Sequence, residues 1–306
     1  MITAAAADAA LSWNLVRDVR QMFAYSFMVN AFRAGTVVAV TAGATGWFMV
    51  LRRQTFAGHT LAVAGFPGAA GAIWLGVGAT YGYFAFCLAA ALLIAAIPTA
   101  GGATAGRAAE SATVGTVQAF ALACGFLFVS LYKGFLGGVN TLLFGSFLGI
   151  TDGMVLTLTA VAVAVLAVLA VLGRPLLFAS LDPAVAAATG VPVRALSVAF
   201  LIVLGSTAAE VSQITGTLLV FTLLVIPAAT AQILTPRPAL SLALTVLFGL
   251  LVTWAGLTVA YYSPYPIGFF ITSFAFGLYL LARLAVHAHD LLGRTARTSH
   301  PAEAAA

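Results

Sequence analysis

The 306-residue sequence is 62% hydrophobic and only 7% charged, with a formal net charge of +5 and a mean hydropathy of +1.10. One soluble globule could not bury so many apolar side chains, so a soluble domain is excluded. The basic residues are scattered over loops, with no basic cluster interleaved with aromatic residues, which excludes nucleic acid as a partner. The chain is therefore predicted to be a membrane protein with several spans.

The first 25 residues are predicted to lie along the membrane interface, because WNLVRDVRQMF has apolar positions at helical spacing with charges between them. Apolar segments of about 18 to 25 residues then recur, each long enough as a helix to cross a hydrocarbon core of about 30 Å. Backbone groups in lipid must bond within their own segment, so these segments are predicted to be helices. The predicted spans are 26–51, 60–79, 83–103, 112–131, 153–173, 196–211, 216–234, 240–262 and 267–285.

The stretch LYKGFLGGVNTLLFGSFLGI, residues 131–150, is Gly-rich and too short in its apolar part to span. Such a stretch is more typical of a segment that dips into the protein and returns. The predicted fold class is therefore all-α. It is one polytopic membrane domain over 26–285, with about eight or nine transmembrane helices plus a short re-entrant segment, followed by a polar tail, 286–306.

Arginines in short loops prefer the cytoplasm, which predicts the orientation in the cell membrane. If 138–150 is re-entrant, most loop arginines fall on one side. That side is then cytoplasmic, with the N-terminus outside and the C-terminus inside. Counting 138–150 as a full span would instead place Arg52, Arg53 and Arg107 outside.

The loop 174–195, RPLLFASLDPAVAAATGVPVRA, is the longest polar interruption. Asp182 followed by proline predicts the start of a short helix, and Gly190 predicts its end. The small side chains of Ala186 and Ala187 would let another protein surface approach closely, so the helix suits docking. The alternative is a loop that merely connects two spans.

Several separated motifs together resemble one family. LDPAVAAATGVPVRAL and the later GTLLVFTLLVIPAATAQIL resemble the metal-ion permeases of the ABC-3 family, as does VLRRQTFAGHTLAVAGFPGAAGA. More distantly, YPIGFFITSFAFGLYLLARL resembles the last span of vitamin B12 and iron-siderophore permeases. The resemblance covers about residues 26–285 and implies the type II ABC importer permease fold.

The family resemblance also implies partners. The 182–190 helix would be the coupling helix that docks on a cytoplasmic ABC ATPase, which is a separate protein because no GxxxxGK[ST] motif occurs here. An extracytoplasmic metal-binding protein would deliver a zinc, manganese or iron ion, and a second copy of the chain would complete the pathway. The chain would be no enzyme and would hold no permanent cofactor, with ATP used by the partner.

His59 stands where many family members have an aspartate, and Ala62 and Val63 replace a Ser-His pair. If the aspartate position touches the passing metal, His59 is a candidate for the metal path. Neutral imidazole suits zinc, copper or nickel, which favours zinc, although iron and manganese sites also use it. The alternative is that His59 caps the start of the second span.

Glu210 is the second metal-path candidate, because an ionisable group near the outer end of a span is costly unless it faces a cavity or a partner. The alternatives are a solvated loop glutamate or a contact for the external binding protein. Four further residues are predicted to shape the pathway helices, the glycines by close packing and the prolines by freeing carbonyls. They are Gly58, Pro67, Gly68 and Pro227.

Two other functions stay open at this point. A permease for an iron-siderophore, haem or corrinoid would need a wider, mostly apolar channel, which suits the missing Ser-His pair. An ion-coupled secondary transporter or channel would call for several intramembrane carboxylates, of which Glu210 is nearly the only candidate, or for matching broken helices.

Overall fold

The computed structural model describes residues 15–97, 105–132, 142–145, 147 and 149–298, and these residues form helices and turns with no strand among them. Within them, eight helices are long and apolar enough to cross a membrane, and a further apolar helix, Leu219–Leu234, is shorter. The predicted all-α fold class is confirmed. The main helices are α1 Leu15–Phe23, α2 Ser26–Leu51, α3 Thr55–Trp74, α4 Ala79–Ala96, α5 Ala105–Leu131, α6 Asp152–Leu181, α7 Pro183–Ala188, α8 Val193–Leu234, α9 Pro238–Tyr261 and α10 Ile267–Thr298.

Helix α6 is longer than the sequence predicts. The predicted span stops at 173, but the helix continues through Arg174 and Pro175 to Leu181. It continues because Leu176 and Ala179 are buried and extend its packed face beyond the proline. The predicted loop 174–195 is therefore wrong at its start, and the chain between the two long helices is limited to 182–192.

Helix α2 fixes the directions of its neighbours. Arg52, just after the end of α2, donates to Ser197 near the start of α8, whereas Thr41 contacts Glu210 further along α8. The first part of α8 therefore runs antiparallel to α2. Helix α9 also runs antiparallel to α2, since Nε1 of Trp47, near the end of α2, donates to the hydroxyl of Ser241, near the start of α9, at 2.9 Å.

Helix α8 reverses its direction at Gly216, the residue where its backbone leaves helical geometry, with φ 70° and ψ 162°. After this point the chain returns towards the end of α2, because the Gln232 amide donates to the carbonyl oxygen of Trp47 at 2.9 Å. The sequence predicts two spans, 196–211 and 216–234. The structure joins them directly, without the intervening loop.

The segment between α5 and α6 begins and ends on the face opposite Arg52. Phe128, near the end of α5, stacks on Trp74 at the end of α3, and Asn30 near the start of α2 donates to the carbonyl oxygen of Ile150. Both described flanks of the segment therefore lie at the same end of the long helices. Its described part reaches Gly216, where an added Cβ would overlap Gly145. The flanks agree with the predicted re-entrant segment, of which residues 133–141, 146 and 148 lie outside the described residues.

The molecule therefore has two end faces. One carries Arg52, the 182–192 loop and the start of α9. The opposite face carries α1, which is held by a hydrogen bond from the Tyr262 hydroxyl to the Asp18 carbonyl oxygen at 2.9 Å. The assignment of the first face to the cytoplasm, the position of α1 at the membrane interface and the domain boundaries stay predictions. Residues 286–298 of the predicted tail continue α10, and 299–306 lie outside the described residues.

Candidate metal pathway and coupling loop

Helix α3 carries most of the predicted pathway residues and is packed against α4, α5 and α8. Gly68 meets Gly82 where α3 crosses α4, and a Cβ on either glycine would overlap the carbonyl oxygen of the other. Gly58 lies against α2, where a Cβ would overlap the sulfur of Met49. These glycines therefore set how closely α3 approaches its neighbours.

The two prolines are both buried inside helices. Pro67 lies in α3 beside α5, where a Cβ on Gly125 would come within 3.3 Å of its Cβ. Pro227 lies in the returning half of α8. Both positions are enclosed by neighbouring helices of the same chain, so a contribution of these prolines to the transport pathway stays a prediction.

His59 lies in the second turn of α3 and is half-buried. Its ring meets Phe221 of α8 edge to face, with the ring centroids 4.9 Å apart. Its Nδ1 atom is buried and has no hydrogen-bond partner among the described residues. The capping alternative is wrong, because α3 starts at Thr55 with Gln54 at the cap position. His59 is thus held by an aromatic contact, with a ring nitrogen not used by the fold.

Glu210 is fully buried between α8 and α2. Its Oε1 lies 3.4 Å from the hydroxyl of Thr41, and its Oε2 is buried with no partner in the described structure. One turn away, the hydroxyls of Thr45 and Thr207 are 3.0 Å apart. Glu210 lies six residues before the reversal at Gly216, and its assignment to the outer side stays a prediction. The solvated-loop alternative is wrong, because tertiary packing covers the side chain.

The structure does not bring the two metal-path candidates together. His59 faces the returning half of α8 through Phe221, whereas Glu210 faces α2 through Thr41. Among the described residues, no group of three or more His, Cys, Asp and Glu side chains could hold a metal ion.

The 182–192 loop has the local structure that the sequence predicts. The Asp182 carboxylate accepts hydrogen bonds from the backbone N–H groups of Ala184 and Val185, at 3.1 and 3.0 Å, and so caps α7. Gly190 follows the helix with φ +86°, a conformation that favours glycine. Ala187 and Gly190 are exposed, but Ala186 is fully buried against the chain's own core. Ala186 therefore packs α7 against the rest of the chain, and the exposed residues form the accessible surface of the loop.

Arg52 is a residue whose role the sequence analysis missed. The sequence indicates only a loop charge at this position, but the Arg52 guanidinium donates to Ser180 of α6 and Ser197 of α8. The available signal was its position directly after a long apolar span. The pattern of apolar and charged residues does not predict which distant side chains Arg52 contacts.

A sequence model of the ABC 3 transport family matches residues 24–286. The chain belongs to this family. The chain is therefore a multi-pass membrane permease of an ABC transport system, not an enzyme, and it works with a separate ATPase.

Relatives of this ABC 3 permease are named as membrane proteins of metal transport systems. It is 28% identical to the manganese transport system membrane protein MntC of Halalkalibacterium halodurans over 244 residues, covering 80% of this chain and 82% of the relative. It is 27% identical to the chelated iron transport system membrane protein YfeC of Yersinia pestis, covering 91% and 92% of the two chains.

Solved structures support the fold. A chain of PsaBC from Streptococcus pneumoniae, in complex with Fab, superposes with a TM-score of 0.76 at 26% identity, covering 88% of this chain and 95% of that one. A putative metal-chelate type ABC transporter in an inward-facing conformation gives a TM-score of 0.66 at 17% identity, covering 86% and 89%. The family and fold that the sequence motifs implied, the type II importer permease, are confirmed.

Proposed function

We propose that this chain is the membrane-spanning subunit of an ATP-driven importer for a divalent transition-metal ion. The observation that carries the proposal is the family match over nearly the whole membrane part, residues 24–286. The relatives support a metal cargo, since their names refer to manganese and to chelated iron. The chain itself would supply the pathway and the docking surface, and ATP hydrolysis would occur in the partner.

Manganese is placed ahead of zinc as the proposed cargo. The imidazole of His59 favours zinc on chemical grounds, but imidazole also serves manganese and iron sites. Several relatives of the chain are named for manganese transport. We therefore give the names of the relatives more weight than the single imidazole of His59 in choosing the cargo. Zinc serves as the competing ion in the test.

His59 is proposed as the residue of this chain that contacts the ion in transit. It is the half-buried imidazole of α3, so part of its ring is accessible, and its buried Nδ1 atom has no hydrogen-bond partner among the described residues. A single imidazole from each chain binds a metal weakly, which allows release as well as capture. Glu210 fits this role less well, because it has no exposed surface.

The proposed working assembly contains two copies of this chain, two ATPase subunits and an external metal-binding protein. Helix α7 would dock on the ATPase through its exposed side, which includes Ala187 and Val185. Closure of the ATPases on nucleotide would then move α7 together with the ends of α6 and α8, the two helices that it contacts. The membrane helices would follow, and the pathway would open to one side at a time.

The test is uptake of radioactive manganese and zinc by proteoliposomes that hold the complete complex, with and without ATP. We expect ATP-dependent manganese uptake by the parent and a loss of about tenfold or more in His59→Ala, as for removal of a group that touches the substrate. His287→Ala is the matched control, because it removes an exposed imidazole near the end of α10. Equal uptake by the two variants would remove His59 from the pathway.

A chelated metal is the second candidate cargo, favoured by the name of the chelated iron relative. The same proteoliposomes distinguish it if ferric siderophore is supplied in place of free metal. Uptake of the chelate without uptake of either free ion would support this candidate. Uptake that persists without ATP would contradict both and favour a secondary transporter.

A further inference from the structure

We propose that Arg52 is the positioning residue that ties the coupling loop to the helix bearing His59. The inference deepens the proposed function, and it rests on the docking role proposed there for α7. Arg52 follows the last residue of α2 and is half-buried. Its guanidinium donates hydrogen bonds to residues from three other parts of the chain.

The first contact is with the end of α6. Arg52 Nη1 donates to the Ser180 hydroxyl oxygen at 3.3 Å. The Ser180 hydroxyl in turn donates to the carbonyl oxygen of Leu176, one turn earlier in α6. Because the serine proton is used within its own helix, the oxygen is left to accept from Arg52. Ser180 is two residues before Asp182, the cap of α7.

The second contact is with the start of α8. Arg52 Nη2 donates to the Ser197 hydroxyl at 2.7 Å, and the guanidinium carbon lies 5.4 Å from the ring centroid of Phe200. Phe200 is almost completely buried, so its ring is a fixed surface. A guanidinium can stack on an aromatic ring while its donors point to two different acceptors, which an ammonium cannot do. Arg52 thus joins both stems of the 182–192 loop.

The third contact leads to α3. Arg52 Nε donates to the side-chain oxygen of Gln54 at 3.3 Å, and Gln54 is the residue immediately before α3. His59 follows in the second turn of the same helix. One side chain therefore connects the two stems of the coupling loop with the start of the helix that carries the proposed metal contact.

Helix α7 has contacts mainly with α6 and α8. A displacement of α7 by the ATPase must therefore reach α2 and α3 through the ends of those two helices, where Arg52 is bound. Without the guanidinium, only helix packing joins the loop stems to α2 and α3, so we expect α3 to follow their displacement less closely. ATP would then be hydrolysed with little transport, because coupling depends on an element whose position both sites share.

The experiment measures the number of metal ions imported per ATP hydrolysed in proteoliposomes holding the complete complex. We expect Arg52→Gln to keep ATP hydrolysis and to lower this ratio about five- to tenfold, within the usual range of coupling between sites. Arg52→Lys should lower it similarly, because one ammonium cannot replace the fork. Arg53→Gln is the matched control, since Arg53 is the exposed neighbour.

A second pair of variants keeps the proposal testable if changes at Arg52 prevent assembly. Ser180→Ala combined with Ser197→Ala retains the arginine and removes two of its acceptors, and it should lower the same ratio. Hydrogen exchange supplies a second measurement. The backbone amides of 184–191 should exchange faster in the variants while those of α9 do not change, whereas general destabilisation would accelerate both.

The remaining outcomes distinguish a failure of the Arg52 proposal from a failure of the proposed cargo. An unchanged ratio in Arg52→Gln and in the double serine variant would overturn the proposal. Full recovery by Arg52→Lys would also overturn it, because charge alone would then be sufficient. If the parent itself imports neither manganese nor zinc with ATP, the proposed cargo fails first, and the same ratio is then measured with ferric siderophore to test Arg52.

Discussion

Gly68 and Gly82 touch through their backbones where α3 crosses α4, and each glycine occupies the place that a Cβ of the other would need. The contact is between two backbones, so no side-chain rotation can relieve an added methyl group. In lipid the hydrophobic effect does not drive helices together, so the close packing that small residues allow stabilises their contact. The position of α3, and with it that of His59, depends on this crossing.

Gly68→Ala is expected to destabilise the chain by about 1–3 kcal/mol, the usual cost of overpacking a close contact. Gly277→Ala is the control, because Gly277 lies inside α10 with nothing within 4 Å of an added Cβ. Thermal unfolding in detergent measures both variants. Similar melting temperatures for the two variants would show that α3 and α4 can separate without cost.

Gly216→Ala should be more harmful than Gly190→Ala. Both glycines have a positive φ, 70° and 86°, and Gly216 also has ψ 162°, a combination that is essentially restricted to glycine. Around Gly190 nothing lies within 4 Å of an added Cβ, whereas at Gly216 the Cβ would overlap Gly145. Backbone strain and the contact with Gly145 in the re-entrant segment therefore both contribute to the expected difference in melting temperature between the variants. A larger loss in Gly190→Ala would contradict the position of that segment.

Bulky substitutions in α7 should separate docking from folding. Ala187→Phe adds a ring to the exposed side of the helix and should leave the melting temperature of the isolated permease unchanged while weakening its binding to the ATPase. Ala186→Phe places the ring where the chain leaves no exposed surface, and should lower the melting temperature. Co-purification with the ATPase is the measurement. Normal binding by Ala187→Phe at normal stability would exclude this side of α7 from the interface.

Glu210→Gln should preserve both stability and transport, whereas Glu210→Lys should not assemble normally. A buried carboxylate oxygen without a partner is costly when charged, so an amide of the same size is tolerated better than a longer cation. We expect metal uptake by Glu210→Gln to stay within about twofold of the parent at equal melting temperature. A tenfold loss at equal stability would instead support the metal-path role that the sequence suggests.

Hydropathy predicted the approximate places of the helices because span length is set by the membrane and not by partners. It misplaced α3 and α4, which begin at Thr55 and Ala79 and not at 60 and 83. The bounds predicted for α2 agree with the structure, and those of α9 differ by about two residues or fewer. The end of α6 was predicted too early, since Arg174 and Pro175 are ordinary signals for a helix end. Their neighbours Leu176 and Ala179 keep the helix intact by packing, which depends on residues far away in the sequence.

The candidate site was predicted only in part, for the same reason. The cap and the terminal glycine of α7 were visible because Asp182 and Gly190 act on adjacent backbone. The burial of Glu210 was not visible, since it arises from contact with Thr41, 169 positions away in the sequence. The contacts of Arg52 likewise join residues 128 and 145 positions apart. Local chemistry can be predicted from a single sequence, but the pairing of distant helices cannot.

The sharp reversal at Gly216 has a consequence for how the chain enters the membrane during synthesis. The returning helix, Leu219–Leu234, has 16 residues, which as a helix extends about 24 Å and falls short of a hydrocarbon core of about 30 Å. Such a segment is a poor substrate for insertion on its own. We expect it to integrate together with the preceding half of α8 as a helical hairpin, so a ribosome that pauses near residue 217 would leave an incomplete unit at the translocon.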